Sequence, residues 1–82
     1  MSNRNIPELP KEVSSIMKEI GERLTAHRQQ VGSNYKKFAA EHGINNMTLW
    51  RMEAGEDYKM SSFLQVLNEI GITPEDFFKG VK

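Results

Sequence analysis

The stretch Phe38-Ala39-Ala40-Glu41-His42-Gly43-Ile44-Asn45-Asn46-Met47-Thr48-Leu49-Trp50-Arg51-Met52-Glu53-Ala54-Gly55 decides the fold. It reads as two short helices on either side of a glycine. The first ends at Gly43, whose missing Cβ permits a left-handed backbone. Asn45 then caps the second, which keeps Leu49 and Met52 on its inner side and stops at Gly55. Helices joined by so few residues cross steeply. A small residue at their approach (Ala39) and an apolar one just past the bend (Ile44) make that crossing possible.

Outward from this stretch the chain stays helical. On the N-terminal side, Val13, Ile16, Met17, Ile20, Leu24 and Val31 recur with helical spacing and predict a long amphipathic helix from Lys11, stopped by Gly32. Gly21 falls inside it and costs about 1 kcal/mol relative to alanine, which suits a close helix contact or a slight bend. Ser33 or Asn34 caps the following helix, which carries Tyr35, Phe38, Ala39 and His42. On the C-terminal side, a helix from Met60 or Ser61 to Ile70 turns Phe63, Val66, Leu67 and Ile70 inward and stops at Gly71. Thr73-Pro74-Glu75-Asp76 opens a short fifth helix with a cap, a proline in the first turn and two acids at the positive end of the dipole. No segment alternates with period two, so no sheet is expected. Residues 1–10, with two prolines and two asparagines, read as a flexible arm, and 11–82 as the domain.

Bulk properties narrow the class. Eighty-two residues with 38% hydrophobic and 27% charged content make one small globular domain. The absence of cysteine excludes disulfides and thiolate zinc sites, and no apolar run reaches the ~18 residues of a membrane span. No signal-peptide pattern opens the chain, so a cytoplasmic location is expected. The net charge is zero, but it is unevenly laid out. Residues 20–52 hold five basic side chains (Arg23, Arg28, Lys36, Lys37, Arg51) against two acidic ones (Glu22, Glu41), a balance of +3. Residues 53–82 hold three basic and six acidic ones, a balance of −3. A basic segment followed by an acidic one suits a domain that presents one face to an anion.

Phe38-Ala39, Gly43-Ile44 and Leu49-Trp50-Arg51-Met52-Glu53-Ala54-Gly55, in that order and spacing, resemble the Cro- and phage-repressor-like helix-turn-helix DNA-binding domains. The resemblance extends over Ile20–Phe78, with Ile20-Gly21-Glu22-Arg23-Leu24 similar to the family's leading helix and Phe63 to Ile72 to its following one. It implies an all-α, compact five-helix lambda-repressor-like domain with the helix-turn-helix at helices 2 and 3. It further implies a sequence-specific transcription regulator that binds double-stranded DNA as a homodimer on an inverted repeat, with no cofactor. The base-reading helix is then about residues 45–54, a cylinder of about 10–12 Å facing the ~12 Å major groove. Carried over by position, base-edge contacts fall to Asn46, Met47 and Arg51, with Thr48 and Trp50 nearby, and phosphate contacts to Asn34, Tyr35 and Lys36. The resemblance also pairs Arg28 with Glu53 as a structural ion pair between the first and third helices.

The residues themselves agree on direction, since 46, 47, 50 and 51 lie opposite Leu49 and Met52 on a helical wheel. Arg51 suits guanine and Asn46 suits adenine as bidentate partners. Trp50 is open to three roles: a DNA contact, cover for the domain itself, or a protein interface. The loop Glu56-Asp57-Tyr58-Lys59 is acidic where the family's pattern usually carries basic residues. A protein-interaction module anchored by Tyr35, Met47 and Trp50, with weak or no DNA binding, is the alternative reading. No nucleophile–base spacing, phosphate loop or metal-ligand cluster points to an enzyme. His42 is expected to pack at the end of its helix and His27 to face solvent, without a metal between them. Phe77, Phe78, Ile16 and Met17 are expected in the core, with a surplus available to a two-fold interface.

Overall fold

A computed structural model describes residues 9–32 and 34–79 of the chain. Ser33 and residues 1–8, most of the expected arm, lie outside the described residues. Among those described, five helices and no strand are present: α1 (Lys11–Val31), α2 (Tyr35–Glu41), α3 (Asn46–Ala54), α4 (Met60–Ile70) and α5 (Pro74–Phe78).

Local chemistry accounts for most helix ends. The Asn34 side-chain oxygen accepts the Lys37 N–H at 3.1 Å, and that of Asn45 accepts the Thr48 N–H at 3.0 Å. Thr73 Oγ1 accepts the Asp76 N–H at 3.1 Å, with Pro74 at the first helical position. Each cap satisfies an amide that has no partner inside its own helix. The turn between α2 and α3 passes through Gly43 at φ 67°, a left-handed conformation that a side chain disfavours. It is closed by the Ile44 N–H donating to the Ala39 carbonyl at 2.8 Å.

The core is built from Ile20, Leu24, Phe38, Ala39, Leu49, Met52, Phe63, Val66, Leu67 and Phe77. Phe63 and Phe77 meet edge to face at 5.2 Å, an arrangement that suits their quadrupoles. α1 crosses α3 closely at Gly21: a Cβ there would stand 2.6 Å from the Glu53 carbonyl oxygen and 2.7 Å from that of Met52. The glycine inside α1 is therefore the contact point of two backbones, and its propensity cost is offset by the packing it permits.

Three polar ties reinforce this packing. Arg28 on α1 grips Glu53 on α3 through Nε–Oε2 at 2.8 Å and Nη2–Oε1 at 2.9 Å, while Nη1 donates to the Gly32 carbonyl at 2.9 Å. The hydrogen bond to Glu53 holds the Arg28 pKa above its ordinary value. Arg23 Nη1 donates to the Lys79 carbonyl at 2.7 Å, binding the end of α5 to α1. His42 Nδ1 and Glu69 Oε1 lie 2.8 Å apart and join α2 to α4.

Several expected positions differ. Val13, Ile16 and Val31, on the predicted inner stripe of α1, are 41%, 40% and 49% exposed. At about 1.5 Å per residue, α1 spans about 31 Å while nine-residue α3 spans about 13 Å, and Gly55 at the end of α3 already lies at Lys18, so the N-terminal turns of α1 outrun the helix they lie on. Val31 instead lines an open hollow against α2 with Asn34, Lys37, Phe38 and Glu41. Phe78 is exposed and Met17 half-buried, leaving Phe77 as the core residue of the four expected. His27 does not face solvent freely: it is half-buried, its ring 5.6 Å from that of Phe77.

Candidate functional site

α3 carries two opposed faces. Leu49 and Met52 are 0% exposed against α1 and the core, whereas Asn46, Met47, Trp50 and Arg51 are all exposed. A step of 100° per residue places 46 above 50 and 47 above 51 on the outward side. Met47 at 60% and Trp50 at 45% exposure are large apolar groups that the rest of the domain covers only in part. Glu53, on the same helix, is turned back to Arg28, which removes its charge from the outward face.

Two hollows flank Met47. One, of about 250 Å³, is lined by Tyr35, Asn46, Met47 and Trp50. Tyr35 reaches it from the first turn of α2, half-buried and packed against the core. The other, of about 420 Å³, is lined by Met47, Thr48, Arg51, Asp57, Tyr58, Lys59 and Ser62. Two cations and one carboxylate meet there. Asp57 Oδ1 already accepts the Tyr58 N–H at 2.9 Å, and exposed Glu56 does not line the hollow. The Tyr58 phenol is pushed up from its ordinary pKa, first by burial and then by the nearby Asp57 charge. A larger hollow of about 570 Å³ lies between α4 and α5, but its walls (Leu64, Leu67, Asn68, Gly71, Ile72, Thr73, Pro74) hold no charged group.

The residues expected to act together are placed as follows. Asn46, Met47, Trp50 and Arg51 share the outward face, and Asn46 and Arg51 make no side-chain hydrogen bond or ion pair among the described residues. Thr48 is half-buried, its hydroxyl 3.5 Å from the Asn45 cap oxygen, so part of its bonding capacity is spent on the helix start. Asn34 is exposed, with its side-chain oxygen committed to the Lys37 amide and its NH₂ group left as a donor. Lys36 is exposed on the first turn of α2. Arg28 and Glu53 are the ion pair described above, remote in role from the outward face.

Lys59 belongs to this site although the sequence does not single it out. It sits at the N-cap of α4, which returns it to the side of Arg51 and offsets the Asp57 charge. Its place in a chain segment that looks acidic gives no local signal of that. The His42–Glu69 contact and the His27–Phe77 contact account for both histidines, and no cluster of three His, Cys, Asp or Glu gathers among the described residues. Among those residues no helix is long and apolar enough to cross a membrane. No protein-family model matches the chain, and neither does a curated protein or a solved structure.

Proposed function

We propose that the chain is a sequence-specific DNA-binding regulator of transcription, a lambda-repressor-like helix-turn-helix domain with α2 and α3 as the motif. In this reading α3 enters the major groove. Asn46, Met47, Trp50 and Arg51 meet base edges with Thr48 beside them, and Asn34, Tyr35 and Lys36 hold the phosphate backbone. The chain acts as a binding domain and not as an enzyme. A homodimer on an inverted repeat, with half-sites about 34 Å apart, completes the proposal.

One observation carries it: a helix sealed on one side by Leu49 and Met52 leaves unpartnered amide and guanidinium groups, Asn46 and Arg51, on the other. Polar groups displayed on a rigid, capped rod are pre-positioned for hydrogen bonding to a duplex. The neighbouring hollow adds Lys59 to Arg51 against a single carboxylate, which favours an anion over a cation.

The apolar exposure of Met47 and Trp50 favours a second reading, the same face docked on a protein. Titration of a labelled random-sequence duplex against salt separates the two. Under the DNA reading, binding weakens steeply with salt, and Lys36→Ala flattens the slope by about one unit on every sequence. Arg51→Ala costs about 1–3 kcal/mol on preferred sequences and relaxes the choice between them. Failure to bind any duplex at low salt sinks the DNA reading and leaves the protein-docking one.

A further inference from the structure

The hollow formed by Tyr35, Asn46, Met47 and Trp50 combines two chemistries that few base-pair edges match together. One is a carboxamide without an internal partner, able to donate and accept in one plane. The other is an apolar wall made from a thioether and an indole that the fold leaves exposed. In the major groove an A·T pair presents the same combination in complement: an acceptor and a donor on adenine, and an apolar methyl on C5 of thymine. A G·C pair offers only polar atoms and a bare C5, so the apolar wall would desolvate those atoms without replacing their bonds. Two cations follow residues of this hollow in the chain and are exposed, Lys36 after Tyr35 and Arg51 after Trp50. Cations at that margin suit a polyanion, whose phosphates flank the base edges.

We infer that this hollow reads one A·T pair, with Asn46 bonded to the adenine and the thymine methyl seated between Met47 and Trp50. The inference rests on the DNA reading above and names the base pair for part of that face. Met47 and Trp50 thereby act as specificity-determining residues through shape and not through hydrogen bonds.

The experiment begins with selection of bound duplexes from a random pool. The best duplex is then remade with each dT replaced in turn by dU, which removes the methyl and keeps the pairing. The expected result is a loss of about fourfold in affinity at one or two thymines, the effect of one buried methyl-sized group, and no loss at the others. The loss should vanish in Met47→Ala and Trp50→Ala, whose exposed positions leave the fold intact, as far-UV circular dichroism would verify. Asn46→Ala should relax selection for the adenine at the same pair. If a duplex is selected but no dU position matters, or the sensitive position persists in both alanine variants, the inference is overturned and the DNA reading stands. If nothing is enriched at low salt, both fall.

Discussion

Replacing Glu53 by leucine removes the carboxylate that receives two N–H groups of Arg28, at 2.8 Å from Nε and 2.9 Å from Nη2. The side chains are 5% and 14% exposed, so little water is at hand to take over those bonds. Stripping one partner from a buried pair costs about 3–5 kcal/mol, and the bond that Arg28 keeps to the Gly32 carbonyl places this case near about 3 kcal/mol. In a domain this small, that lowers the melting midpoint by about 12–24 °C. Arg28→Met strands a carboxylate that can still reach water, so its cost is smaller, about 2 kcal/mol. The double change Arg28→Met/Glu53→Leu removes both charges and fills the space with apolar groups. It should come within about 1 kcal/mol of the parent chain, because burying the pair consumed much of the attraction it provided. Urea unfolding followed by far-UV circular dichroism on the four chains yields a coupling of about 4 kcal/mol. Losses that add to within about 0.5 kcal/mol would refute the reasoning, since additivity means the two side chains do not depend on each other.

Three further outcomes are expected. Gly21→Ala should destabilise by about 1–3 kcal/mol in thermal melts despite the better helix propensity of alanine, because its Cβ would stand 2.6 and 2.7 Å from carbonyl oxygens of α3; a raised midpoint would disprove the close crossing. Asp57→Asn should tighten duplex binding and steepen its salt dependence, read by anisotropy, because it removes the one carboxylate lining the Arg51–Lys59 hollow; unchanged slopes would place that hollow away from the phosphates. Tyr35→Phe leaves Tyr58 as the single tyrosine, and its phenolate absorbance should appear with a midpoint above the ordinary value of about 10. Since the folded pKa is the raised one, stability is intact below about pH 10 and declines as pH climbs through the folded value, where only the unfolded chain ionises freely. A midpoint at or below 10 would show the phenol to be hydrated.

Much of this molecule is written locally. Asn34, Asn45 and Thr73 are short acceptors placed just before apolar periodicity begins, and Gly43, Gly55 and Gly71 all adopt positive φ where a helix ends. Caps and glycine stops act over three or four residues, so the element order follows from sequence alone. The outward set of α3 is legible for the same reason: once Leu49 and Met52 face inward, the helical repeat leaves Asn46, Met47, Trp50 and Arg51 no other side.

Other properties depend on where one helix ends against another, and no periodicity contains that length. Val13, Ile16 and Val31 share the apolar rhythm of Leu24, yet the first two project beyond the end of α3, the third borders an open hollow against α2, and all three stay exposed. Lys59 joins Arg51, Tyr35 joins Trp50, and Arg23 reaches the Lys79 carbonyl across 56 positions only because the chain folds back on itself. Spacing assigns each residue a direction from its own helix axis. What stands in that direction is decided by the crossing of the axes, for which a backbone contact such as that at Gly21 sets the distance.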